Sequence, residues 1–114
     1  MRAAQEALRE REEIYSAIFN QAANGIVLID AETLHFAEFN EAACHGLGYP
    51  REEFARLTLN DIQGSLTPAQ LAERTRAILD QGAGSFENVQ RCKNGDVRWA
   101  RVANRVVEIR GRKY

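Results

Sequence analysis

The chain has 114 residues, 45% of them hydrophobic, and its 15 basic and 16 acidic side chains leave a net charge of −1. That length supports one domain with one modest core, and that hydrophobic share excludes a disordered chain. The even charge, with no polybasic block, argues against nucleic acid as a partner, and the longest apolar run, Gly25 to Ile29, is far too short to span a membrane.

Residues 1–23 are rich in Ala, Glu, Arg and Leu, all strong helix formers, and predict a long N-terminal helix. Leu8, Tyr15 and Ala22 recur every seven residues with Ile18 between them, while Arg11 interrupts the seam. Two readings stay open: a helix lying on its own domain, or a signalling helix paired with its copy in a dimer. The charged, abrupt start does not resemble a secretory signal and reads as if cut from a longer polypeptide.

Asn24-Gly25 signals a turn. Ile26 to Ile29 then forms a strand with β-branched residues on both faces, which predicts a central strand covered on both sides. Asp30 to Thr33 is a polar turn, and His35 to Phe39 completes a hairpin. Asn40 is placed to cap a short helix, with Ala43, Cys44 and Leu47 on one apolar face. Gly46 and Gly48 leave room for a tight turn. Pro50 suits the first turn of the next short helix, with Glu52 and Glu53 near its positive end.

Leu57 to Ile62 predicts one irregular helical turn. The main helix runs from Thr67-Pro68, a cap followed by a favoured first residue, to Gln81, where Gly82 stops it. Leu71, Thr75, Ile78 and Leu79 form its apolar stripe, and Glu73, Arg74, Arg76 and Asp80 are expected to face water. Ser85 to Arg91 is a strand, Lys93-Asn94-Gly95-Asp96 a hairpin turn, and Val97 to Ile109 a long strand. On it Ala100, Val102, Asn104 and Val106 make the better core face. Trp99, Arg101, Ala103 and Arg105 point outward, where arginine stems and Trp99 are able to cover an apolar helix. Arg110 to Tyr114 reads as a turn and the first residues of another strand. The order of elements predicts an α+β fold, an antiparallel sheet with its helices gathered on one face.

Three segments carry a resemblance. Asn24 to Asp30 is one, and the run Asn40, Ala43, Leu47, Gly48, Tyr49, Glu53 and Phe54 is the second. The third is Phe86-Glu87 with Arg91, Lys93, Asn94 and Gly95. In this order and spacing, over about Ile18 to Ile109, the sequence resembles the PAS domain family, the small sensory modules of bacterial signalling proteins. Asn24 and Asn94 stand where that family favours Asp, and Pro50 where it favours Ser or Thr. The resemblance implies an N-terminal signalling and dimerisation helix, residues 1–17, flanking the outer face of a sensor domain, residues 18–114. It implies a cavity between sheet and helices, and a last strand running on from Tyr114 that is all but absent here. The long strand would then have an edge exposed or covered by a partner.

The function so implied is a non-catalytic module that senses a small molecule or partner and relays it to an effector outside this fragment. Histidine kinases of two-component systems and diguanylate cyclases are the expected effectors. The alternative is a ligand-free dimerisation spacer. A homodimer through the N-terminal helix and the outer sheet face is expected, in the cytoplasm, and two cysteines without framework spacing suit reduced thiols there. No acid–base or nucleophile pair is evident.

Cofactor residues are wanting. The photoactive flavin members carry an Asn-Cys-Arg-like segment where this chain has Leu59-Asn60-Asp61-Ile62-Gln63, and the main helix has no histidine for a haem iron. Neither group is expected, and the cofactor stays open. His35, His45, Cys44 and Cys92 lack metal-ligand spacing. His45 reads as a surface residue and Cys44 as a core thiol. Asn104 is polar on an apolar face, and a buried amide needs partners, either backbone and water or the polar edge of a ligand. Cys44, Phe54, Ile62, Val102 and Asn104 are the cavity candidates. Asp61 and Lys93 are expected to pair across the domain.

Overall fold

The computed structural model describes residues 2–114. Helix α1, Arg2–Gln21, runs unbroken and buries none of its residues. Its helix-forming composition sustains it, and Tyr15 stacks on Phe19 with ring centres 5.6 Å apart. It packs against α2, Glu41–Gly46. Leu8, Ile14, Tyr15 and Ile18 stay exposed, and so does Trp99, so the outward face of the hairpin near Trp99 is open.

Strands β1, Val27–Ile29, and β2, Phe36–Phe39, form an antiparallel hairpin. Asp30 holds its turn by accepting from the backbone N–H groups of Glu32 and Thr33 at 2.9 and 3.1 Å. The expectation that β1 is covered on both sides is corrected: Ile26 and Val27 are exposed, because β1 pairs only with β2 and α1 leans on α2 instead. Between α2 and α3, Arg51–Phe54, the chain reverses at Gly48, whose φ of 79° is a left-handed conformation suited to glycine. Pro50 sits just before α3, as its extended N-cap rather than inside the first turn.

A 3-10 turn, Leu59–Ile62, is closed by a reciprocal pair of bonds between Thr58 and Asp61. Helix α4, Pro68–Gln81, starts on a Thr67–Gln70 capping box and ends at Gly82 in the left-handed conformation. Strands β3, Ala83–Arg91, and β4, Val97–Arg105, pair without a break, from Ala83 opposite Arg105 to Arg91 opposite Val97. The predicted long strand therefore ends four residues early. Val106 turns to donate to the Gly82 carbonyl, and Val107 exchanges bonds with Tyr114. A last hairpin follows, β5, Glu108–Ile109, and β6, Arg112–Lys113, turning at Arg110 and Gly111 with φ of 51° and 77°.

Among the described residues the strands thus form three two-stranded ladders. Bridges His35–Thr58 and Gln63–Gln90 tie the 3-10 region to the two main hairpins, and the Ala31 N–H donates to the Lys113 carbonyl. The buried core gathers Phe36, Phe39, Ala43, Cys44, Leu47, Phe54 and Ile62. Phe54 is its centre, with Phe36 and Phe39 at ring distances of 4.5 and 4.9 Å. Asp61 and Lys93 do not pair: Asp61 is spent on its own turn, and Lys93 Nζ meets Glu53 at 2.6 Å.

Candidate functional site

A cavity of about 90 Å³ lies where α4 crosses the inner face of the β3–β4 hairpin, closed at one end by β1 and the C-terminal residue. Its walls are mostly aliphatic, from Ile29, Leu34, Leu59, Leu71, Ile78 and Leu79, with Phe86 on the sheet side. Period-two alternation puts Phe86, Val102, Asn104 and Val106 on this face, and helical spacing brings Leu71, Thr75 and Ile78 down onto it. The polar lining includes Asn104, Arg74, Thr75 and Tyr114.

Of the five candidates, Asn104 lines this cavity. Its Nδ2 is buried and has no hydrogen-bond partner. Val102 is half-buried beside it, opposite Phe86 in the ladder. Cys44, Phe54 and Ile62 lie elsewhere, in the aromatic core, where Cys44 is fully buried and its thiol donates to the Glu41 carbonyl at 3.4 Å. The five thus sort into a filled region and an unfilled one.

Three lining residues escape the sequence reading: Arg74, Tyr114 and Arg105, the last of which strand alternation places outward. Arg74 was expected in water, but it is half-buried and its guanidinium carbon stands 4.3 Å above the centre of the Phe86 ring, a cation–π contact. The signal was present, since Arg74 is three residues past Leu71 and four before Ile78, on the apolar stripe itself. Among the described residues no carboxylate lies within ion-pair distance of Arg74. Tyr114 reaches the cavity through the last hairpin, a contact that no local pattern announces.

That hairpin is fastened chiefly by Arg112, which pairs closely with Asp30 and more loosely with Glu32 at 3.9 Å. Arg112 Nε donates to Asp30 Oδ2 at 2.7 Å, across 82 residues of sequence. This bond, with the two turn amides that Asp30 accepts, holds the Asp30 carboxyl at a pKa of about 2, below its usual value near 3.8.

Glu41, Cys44 and His45, at helix positions i, i+3 and i+4, bring ligand atoms within 4.8 Å of one another, a grouping that spacing did not reveal. Their partners work against a cation. Arg51 already holds Glu41 at 2.9 Å, and the Cys44 thiol is sealed in the core. His45 is exposed, as expected, 3.3 Å from Glu41.

Asn40 is the other amide of consequence. It is fully buried, and its Oδ1 accepts from Ile26 N–H at 2.9 Å and from Ala43 N–H at 3.1 Å. Its Nδ2 donates to the carbonyls of Phe19 at 2.9 Å and Asn24 at 3.0 Å. The predicted cap is also the tether of α1 to the core.

Known proteins bear out this architecture. Residues 13–82 match the model of a PAS domain family. The Methyl sulfide methyltransferase-associated sensor of Methanosarcina acetivorans is 26% identical over 110 residues, covering 96% of this chain and 11% of that protein. The sensor histidine kinase TmoS of Ectopseudomonas mendocina is 28% identical over 99 residues, 85% of this chain and 10% of the kinase. The chain thus spans about a tenth of the length of these relatives. The crystal structure of the PAS domain of an HTR-like protein from Haloarcula marismortui superposes with a TM-score of 0.89 at 17% identity, over 99% of this chain and 93% of that one. With the family model covering well over half of its length and the fold matching throughout, this chain belongs to the PAS domain family.

Proposed function

We propose that this PAS domain is a sensory module whose input is a small molecule in the α4–β4 cavity and whose output passes to an effector in a larger protein. The observation that carries this reading is the cavity's position. It is bounded on one side by the unpaired Nδ2 of Asn104 and on another by Tyr114, which exchanges backbone bonds with Val107 across the last hairpin. An occupant that touches both gains differential contacts with two packings of the last hairpin, and only such a difference shifts an equilibrium. A histidine kinase is the favoured effector, because one relative is named as one; a diguanylate cyclase is the other. The module works without catalysis of its own, in the cytoplasm.

Residues 1–17 serve as the signalling helix of this reading and residues 18–114 as the sensor. The apolar stripe of α1, with Leu8, Ile14, Tyr15 and Ile18 exposed, favours a homodimer in which a second copy covers it together with the open face around Trp99. Glutamates at positions 8 and 15 (L8E with Y15E) should leave a folded monomer, and a dimer persisting in sedimentation would remove that contact.

Native mass spectrometry of the purified protein tests the input. A bound small molecule that is lost in Asn104→Leu supports sensing. A ligand-free dimer under all conditions would instead make the domain a constitutive spacer.

A further inference from the structure

We infer that the cavity takes a short-chain carboxylate, its alkyl end among the α4 and β1 side chains and its carboxylate between Arg74 and Asn104. This rests on the sensory reading above and gives it a ligand class.

Size comes first. An apolar cavity of about 150 Å³ holds benzene, roughly 25 Å³ per heavy atom. The space of about 90 Å³ here therefore takes three such atoms but not quite four, the three carbons of propionate, with the two carboxylate oxygens at its polar edge beside Arg74 and Asn104. The end of the cavity is fixed by close packing: a Cβ on Gly84, opposite Asn104, would meet Ile78 Cγ1 at 3.1 Å, so α4 already rests on the sheet there.

Charge comes second. Asn104 presents a buried donor with nothing to accept from it. Thr75 offers no competing group, because its hydroxyl donates to the Leu71 carbonyl at 2.9 Å. Arg74 lies over Phe86, and Phe86 is the diagonal neighbour of Asn104 on the same face of the hairpin. The Asn104 donor and a half-buried Arg74 guanidinium without a carboxylate partner among the described residues thus adjoin one apolar void, with Tyr114 and the exposed Arg105 also on its border. No Asp or Glu lines it. A buried carboxylate is tolerated only when paired and hydrogen-bonded, and an arginine with an amide donor supplies both. A cation or zwitterion finds no counter-charge, and a neutral alcohol leaves the guanidinium unmatched.

Acetate, propionate and butyrate, with 1-propanol and propionamide as neutral counterparts, are titrated into the protein and followed by ligand-observed NMR. Propionate is expected to bind in roughly the millimolar range, as suits so few heavy atoms, more tightly than butyrate and at least about tenfold more tightly than 1-propanol. Arg74→Gln and Asn104→Leu should each weaken propionate about tenfold in protein that stays folded. If Asn104→Leu fails to fold, Arg74→Gln alone decides. Equal binding of 1-propanol and propionate, or propionate binding untouched by Arg74→Gln, overturns the carboxylate assignment and leaves a sensor of neutral molecules. Binding of none of the five also overturns it; a small molecule retained in native mass spectrometry would then show that only the class, and not sensing, had failed.

Discussion

Asn40 and Asn104 are both inward-facing amides, yet their surroundings are opposites. Asn40 uses both sides of its amide on four backbone groups and is packed beside the aromatic core. Asn104 has an orphan donor and faces a cavity with mainly aliphatic walls. Satisfied, close-packed regions specify a fold, because every deletion there leaves a cavity or a stranded polar group. Unsatisfied, roomy regions cost stability and are kept where something else is meant to enter. The domain thus separates a close-packed, satisfied part from a roomier, unsatisfied one.

The largest effect on stability is expected at Phe54. Only 1% exposed and in ring contact with Phe36, Phe39 and Tyr49, it fills the centre of the core. Phe54→Ala should cost about 3–5 kcal/mol in urea denaturation. A loss below about 1 kcal/mol would mean that the aromatic side is as loosely packed as the cavity.

Asn40→Ala comes next, at about 2–4 kcal/mol, from the lost cap and the backbone groups left without partners. It should also act locally. With the Phe19 and Asn24 carbonyls released, amide exchange should quicken at the C-terminal end of α1 before it does in α4. Uniform exchange along the chain would mean that Asn40 does not tether α1.

Much of the aromatic side was legible in the sequence, because it is built from local rules. The cap at Asn40, the stripe of Ala43, Cys44 and Leu47, and the turn at Gly48 each follow from spacing within a few residues. The four partners of Asn40 did not, since Phe19 and Asn24 meet it only through the fold. The cavity was legible only at Asn104, where a polar residue interrupts an alternating apolar face. Arg74 was lost to the rule that charges face water, which its long stem and the Phe86 ring override. Tyr114 and the Asp30–Arg112 bond depend on a contact across the whole chain, which periodicity does not encode. The exposure of β1 has the same origin: a run of apolar residues reports what a strand is able to bury, and the course of α1 decides what covers it.

The cavity's frame offers a sharper test through pH. The Asp30 carboxyl titrates at about 2 in the folded chain, mainly because Arg112 donates to it, against about 3.8 ordinarily. A lowered folded pKa means the stabilisation is fully present above pH 4 and is lost as pH falls from about 4 toward 2. Arg112→Gln should flatten that part of the acid-denaturation curve and quicken exchange at Tyr114, while leaving the α1–α2 amides unchanged. An acid limb identical to that of the parent would assign the loss to other carboxylates.

Asn104→Leu should have the smallest effect on stability and the largest on response. Leucine has the branched shape of asparagine with more apolar bulk, which the adjoining cavity is able to take up among Ile78 and Phe86, and it removes the stranded donor instead of creating one. Replacing an unpaired buried polar group by an apolar one of similar shape is neutral or favourable, so denaturation should give a change between zero and about 1 kcal/mol of added stability. The same experiment on Asn40 has the opposite sign, and the difference between two Asn→Leu substitutions isolates hydrogen-bond satisfaction from side-chain size. Should Asn104→Leu instead cost 2 kcal/mol or more, as a satisfied buried amide would, water would be completing the bonds of Asn104 and the cavity would be a structural site.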